Sequence, residues 1–171
     1  MKKNIVIVGY MGSTGAALIA EKRRDELLDR FRPDYIEKII TGGNPISLNV
    51  TEGCEAVEVR EGGVLKTLYE LAESHCCGVR IELKRVPFLQ STIEICELYG
   101  LNPYRLLSDG YVVLCNDEDM QKLLEECEHC NIPAAYVGVT ARGHDKVIID
   151  KTSIQYIDKP SADELLKIIN R

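Results

Sequence analysis

Of the 171 residues, 45% are hydrophobic and 28% charged, and Lys plus Arg at 21 against Asp plus Glu at 27 leaves a net charge of -6. The chain is long enough to bury a substantial core, and Gly 13 with Pro 6 is too sparse for a collagen-like or disordered polymer. The negative balance gives no long-range attraction to a nucleic-acid backbone, and no stretch approaches the roughly 20 apolar residues of a bilayer span, so neither a nucleic-acid nor a membrane partner is expected.

The opening "MKKNIVIVGYMG" imitates a secretion signal, but its apolar run is broken by glycines and leads straight into a helical pattern. It reads as a first strand over 4–8, followed by the turn "GYMGSTG". Next, "AALIAEKRRDELLDRF" puts Ala17, Ile19 or Ala20, Leu27, Leu28 and Phe31 near one face of a helix, with Ser13 or Thr14 as its cap. Pro33 restarts a short helix through Ile40, and "TGGNP" turns the chain. Residues 46–53 are ambiguous.

"EAVEVR" alternates as a strand, and Gly62 and Gly63 turn it into a helix carrying Val64, Leu65, Leu68, Leu71 and Ala72. "VRIEL" and "YVVLC" are further strands, separated by helices that Pro87, Gly100 and Pro103 punctuate. Asn116 or Asp117 caps the helix through "EDMQKLLEECEHC". "AAYVGVTARGHDKVIID" reads as two strands joined in a hairpin by a polar turn at Gly143, and "PSADELLKIIN" as a closing helix over about 160–170. The pattern predicts an α/β or α+β fold with at least five strands, organised as a single domain over 1–171.

Seven cysteines, at 54, 76, 77, 96, 115, 127 and 130, are odd in number and lie mostly in apolar patterns. Reduced core thiols in a cytoplasmic protein fit them best.

Several stretches offer chemistry. At "EGG", the N–H groups of Gly62, Gly63 and Val64 form either a tight corner or a phosphate-binding helix start; Glu61 beside them would compete with an anion or stabilise the helix. "GYMGSTG" lacks the dinucleotide spacing and the P-loop lysine, leaving Ser13 and Thr14 as a turn or as ligand contacts. "CEHC" offers Cys127 and Cys130 to a metal only if His75, Cys76 or Cys77 completes the set; packing is the alternative. His144 and Asp145 in "RGHD" sit at a charged tip. Glu58, Glu61, Asp109, Asp117 and Asp119 are either magnesium candidates or solvated and capping side chains. No catalytic residue is identified.

Read together and in order, "IVIVGYMGSTGAALIAE", "EVREGGVLKTLYELAE", "STIEICELYGLNPYRLLSDGYVVLC" and "IPAAYVGVTARGHDKVII" resemble the C-terminal domain of the AIR synthase-related, PurM-like superfamily. Within it they are most similar to the branch containing the hydrogenase maturation protein HypE. The resemblance runs from Asn4 to Ile149. It implies a three-layer α/β/α arrangement with a mixed sheet, and a role in closing the active-site cleft of ATP-dependent enzymes. In such relatives an N-terminal domain, expected to be missing from this chain, builds the dimer and supplies most of the groups that bind nucleotide and magnesium.

The family pattern "HDVTEGG" stands here as "VEVREGG". Val57 replaces the histidine and cannot transfer a proton; Glu58 keeps a carboxylate on a longer arm; Arg60 replaces threonine and either binds phosphate or fills the old cleft. The resemblance therefore implies a partner-dependent binding or regulatory subunit, or one half of a split phosphoryl-transfer or hydrogenase maturation enzyme. ATP and Mg2+ are expected only in a complex, with a second copy or a separate AIR synthase-related N-terminal domain as mate. Replacing Gly63 by valine is expected to weaken anion binding while folding stays near normal.

Overall fold

The computed structural model describes residues 2–42, 46–49 and 52–170; most of the predicted "TGGNP" turn lies outside them. Seven strands, β1 (Asn4–Val8), β2 (Glu55–Glu58), β3 (Gly78–Ile81), β4 (Tyr111–Cys115), β5 (Ala134–Ala141), β6 (Lys146–Asp150) and β7 (Ser153–Tyr156), form one sheet in the order β2-β4-β1-β5-β3-β6-β7. Neighbours are antiparallel except β3 and β6, so the sheet is mixed as expected.

Among the described residues seven α-helices accompany it: α1 (Ser13–Lys22), α2 (Arg24–Leu27), α3 (Pro33–Thr41), α4 (Gly63–Ser74), α5 (Gln90–Tyr99), α6 (Asp117–His129) and α7 (Leu166–Ile169). β1 is apolar at four of its five positions because it lies in the middle of the sheet with both faces covered. Ile5, Ile7, Val112 and Leu114 meet Val64, Leu68 and Leu71 of α4 on one face, while Val6, Val8, Val113 and Cys115 meet Leu123 and Cys127 of α6 on the other. Period-two alternation on the strands thus produces the three layers. A separate cluster joins Ala16 and Ile19 of α1, Ile36 of α3, Ile95 of α5 and Ile168 of α7.

Four details differ from expectation. The predicted long first helix breaks at Arg23, with φ -107° and ψ 23°, so Leu27 is buried but Leu28 is exposed. Its cap is not a side chain: Gly12 in the left-handed region precedes α1, and the Ser13 hydroxyl donates back to the Tyr10 carbonyl at 3.1 Å. β5 and β6 do not form a hairpin, because β3 lies between them and pairs with both. The closing helix shrinks to α7, and the residues before it take another task, described below.

All seven cysteines are free. Burial pushes Cys96 up to about 12, and burial followed by the neighbouring Cys54 does the same for Cys115, so both stay neutral thiols near pH 7. None of the helices described is long and apolar enough to cross a membrane.

The register of β1 against β5 shifts between Ile5 and Val6, and at Gly138, the β5 residue paired with both Ile5 and Ile81, the backbone of β3 passes close by. A Cβ there would overlap the Arg80 carbonyl and come within 2.9 Å of the Ile81 Cα, both backbone atoms that cannot swing aside. Gly138→Ala is expected to destabilise the protein by about 1–3 kcal/mol, the usual cost of overpacking, read as a lower urea midpoint.

Candidate functional site

The turn into α4 is built by backbone geometry. Past β2, the Val59 N–H donates to the Gly110 carbonyl at 2.8 Å, and the Gly63 N–H donates to the Arg60 carbonyl at 3.1 Å, which folds the chain back on itself. Gly62 and Gly63 then adopt φ of 83° and 66°, a region that side chains with a Cβ rarely enter. The next link is tertiary. A Cβ on Gly63 would stand 2.5 Å from the Tyr104 carbonyl oxygen and 2.9 Å from the Leu106 amide nitrogen, so the helix start leans directly on the backbone of 104–106.

The Gly62 N–H donates to Asp163 Oδ2 at 2.6 Å in a buried setting. The other oxygen of that carboxylate accepts from the Leu107 N–H at 3.2 Å and the Leu165 N–H at 2.8 Å. The glycine corner is therefore both a tight turn and a receptor for negative charge, and the negative charge is supplied by this chain's own segment before α7. Nothing local in "PSADELL" distinguishes Asp163 from an ordinary acidic residue at a helix start, which is why sequence reasoning missed it.

Beside this corner lies a cleft of about 730 Å3 between β2, α4 and the 107–109 loop. It brings together Thr14, Val57, Glu58, Arg60, Glu61 and Asp109 among the residues singled out from sequence, whereas Ser13, Gly62, Gly63 and Val64 do not line it. Val64 is instead fully buried against the sheet. Arg60 Nε lies 3.0 Å from Glu58 Oε2, with its side chain 74% exposed, so the guanidinium is held at the solvent side of the cleft by a neighbour two residues away. The Thr14 hydroxyl donates to Asp109. Ser108, also in the wall, accepts from the Gly12 N–H at 2.6 Å and donates to the Leu106 carbonyl at 2.9 Å, tying the first turn to the loop.

Electrostatically the cleft is acidic. Glu55, Glu58, Glu61, Glu70 and Asp109 face two cations, Arg60 and Lys66, giving five carboxylates against two positive groups. Such a surface disfavours a bare polyphosphate and favours a cation, a metal-neutralised phosphate or a basic partner surface.

The remaining sequence candidates are dispersed. Asn116 caps α6 by accepting from the Asp119 N–H at 2.9 Å, Asp117 accepts from Asn4 Nδ2 at 2.7 Å, and Asp119 accepts from Asn116 Nδ2 at 2.6 Å. Both acids thus serve the start of α6. Cys127 is buried under the sheet while Cys130 is exposed, and His75 at the end of α4 bonds Glu55 at 2.8 Å. Among the described residues, no three His, Cys, Asp or Glu side chains gather into a metal-holding group. The "RGHD" segment connects β5 to β6, where the His144 carbonyl accepts from Lys146 Nζ at 3.3 Å.

The sequence profile of the AIR synthase related protein family, C-terminal domain, matches residues 59–151. A hydrogenase expression/formation protein of Methanocaldococcus jannaschii is 25% identical across 96% of this chain and 50% of its own length. The carbamoyl dehydratase HypE of Rhodobacter capsulatus is 32% identical across 64% of this chain and 32% of its own. The chain thus spans half, or less, of the curated relatives it matches. Among solved structures, the hydrogenase maturation protein HypE of E. coli superposes with a TM-score of 0.72 at 20% identity, over 96% of this chain and 52% of that one. HypE in complex with ATP gives 0.68 at 20% identity, over the same shares of the two chains. These structures share the fold.

The close approach at Gly63 corrects the expectation that valine there would spare folding. Gly63→Ala is expected to lower the urea midpoint more than Gly100→Ala, because Gly100 shares the left-handed φ, at 64°, but has nothing within 4 Å of a new Cβ. The difference between the two isolates the backbone clash from the intrinsic left-handed cost of about 1–2 kcal/mol. Asp163→Ala strips three N–H groups of their acceptor; each one left buried and unpaired costs about 1–3 kcal/mol, and hydrogen exchange at Gly62 and Leu107 should accelerate before the sheet amides do.

Proposed function

The chain belongs to the AIR synthase related protein family, C-terminal domain, and we propose that it acts as a partner-dependent binding or regulatory subunit, completed by an AIR synthase-related N-terminal domain or a second copy. The observation that carries this reading is the acidic cleft of about 730 Å3, open along β2, whose walls present carboxylates but no assembled catalytic group. Val57, at the position where the resemblance expects histidine, is partly buried against the core and has no proton to exchange. Glu58 is engaged by Arg60, and the corner donor at Gly62 is engaged by Asp163.

A mate that brings cationic groups or a metal-bound nucleotide to this cleft would meet complementary charge. Glu58, Glu61 and Asp109 line the cleft without gathering into a metal site of their own, so Mg2+ would arrive bound to the nucleotide and meet them only as surrounding negative charge, and Arg60, once drawn from Glu58, would be free to meet a phosphate. Magnesium would supply neutralisation of phosphate charge; this chain's part is to wall the cleft, exclude water and hold the α4 corner rigid. HypE occurs in solved structures with ATP and in a complex with HypF, which supports both the nucleotide and the partner side of the reading.

A second reading is favoured by the likeness to carbamoyl dehydratase HypE and to the hydrogenase expression/formation protein: half of a split ATP-dependent phosphoryl-transfer or maturation enzyme. In that case the acidic cleft would face the transferring phosphoryl group once the mate has docked.

Calorimetry with Mg-ATP, on the chain alone and on the chain mixed with the isolated N-terminal domain of E. coli HypE, separates these readings. Association in the mixture, with Mg-ATP heat that Glu58→Gln abolishes appearing only there, is the expected result. Hydrolysis of Mg-ATP by the chain alone, or Mg-ATP binding by the chain alone that Glu58→Gln abolishes, would overturn partner dependence. Turnover in the mixture that is lost on Glu58→Gln would select the split-enzyme reading.

A further inference from the structure

A second cleft, of about 890 Å3, opens where α4 hands over to β3 and where β5 ends. Its lining includes Lys2, Lys3, His75, Arg80 and Arg142, and contains no aspartate or glutamate at all. In a chain with 27 acidic residues against 21 basic ones, that segregation of charge is the feature to explain.

The ordinary uses of these cations do not account for them. The carbonyls at the end of α4 need no help from the lysines and arginines, because the N–H groups of His75, Cys76 and Cys77 already donate to Leu71, Glu73 and Ala72 at 3.0–3.1 Å. Lys3 and His75 both lean on Glu55, at 3.8 and 2.8 Å, and Glu73 is held by Lys146, so the neighbouring carboxylates are engaged. Lys2, Arg80 and Arg142 have no carboxylate within ion-pair distance among the described residues. Arg80 is the one exposed residue of β3, projecting opposite to Val79 and Ile81, whose side chains enter the core against α4.

Unneutralised like charges lining one concave surface repel one another and raise the positive potential there. Guanidinium groups match phosphate oxygens in a bidentate fork, and the size of the cleft is that of a small-molecule site. Val139, opposite Arg80 in the pairing of β3 with β5 and partly buried, adds a single apolar contact. We propose that this cleft is a binding site for a phosphate-bearing small molecule with at least two negative charges, gripped by Arg80 and Arg142. It is separate in position and in charge from the acidic cleft, the two meeting at Glu55, and it needs neither a metal nor a mate.

The test is metal-free calorimetry on the tag-free chain at low ionic strength, with inorganic pyrophosphate and with ADP as probes. Saturable binding of pyrophosphate and of ADP, weakening as salt is raised, is the expected result. Arg80→Gln combined with Arg142→Gln should reduce affinity at least about tenfold, the loss of one charge-assisted hydrogen bond or more. Glu58→Gln in the acidic cleft should leave it unchanged. Equal melting curves check that the exposed substitutions leave the fold intact. Absence of saturable binding of both probes, undiminished binding by the double variant, or binding of a glutamate-rich peptide but of neither probe would overturn the proposal. Because the assay contains no Mg2+ and no N-terminal domain, its failure leaves the partner-dependent reading standing, and the reverse holds too.

Discussion

One buried carboxylate gathers the parts of the candidate site. Asp163 accepts N–H groups from Gly62, Leu107 and Leu165, so three stretches far apart in the chain meet at two oxygen atoms. Charge-assisted hydrogen bonds of this kind are stronger than neutral ones, and a buried donor deprived of its acceptor is costly. The corner before α4, the loop forming one wall of the acidic cleft and the segment leading into α7 are therefore coupled. Arg105 reinforces the same junction, its carbonyl accepting from the Glu164 N–H at 3.2 Å and its guanidinium donating to Ser161 at 2.7 Å. The opening of α4 is in this sense a filled anion site, with the anion carried in the chain.

α4 also organises what lies along its length. Its start borders the acidic cleft and its end the basic one, and Glu55, bridged by Lys3 and His75, marks the boundary. A groove with opposite potentials at its two ends discriminates between ligands by charge before any specific contact forms. The apolar side of the same helix, through Val64, Leu68 and Leu71, is fixed to the sheet, so neither cleft can move far without disturbing the core.

Parts of the site were legible because they are local. The left-handed glycine pair follows from the abrupt change of period between "EAVEVR" and the α4 pattern, and Asn116 is a cap by the chemistry of its side chain at a helix start. The cleft itself was only half legible. Thr14, Glu58, Arg60, Glu61 and Asp109 were singled out for separate reasons, and nothing in their spacing says that they share a wall with Glu55 and Glu70 or that Arg60 turns towards Glu58. Asp163 and the cations around Arg80 were not legible, since each looks like an ordinary surface charge until distant segments are brought beside it.

By itself the sequence determined the sheet-and-helix class, the buried central strand with its apolar run, the turn positions demanded by glycine, and the family, because periodicity and backbone restriction act over a few residues and survive without the rest of the chain. Only the tertiary structure decided that β3 inserts between β5 and β6, that α4 begins against the backbone of 104–106, and that acidic and basic side chains sort into two clefts. Those outcomes depend on hydrogen bonds and charge encounters between distant residues, 101 apart for Gly62 and Asp163 and 137 apart for Lys3 and Thr140, and such pairings are selected by the packing of the whole fold.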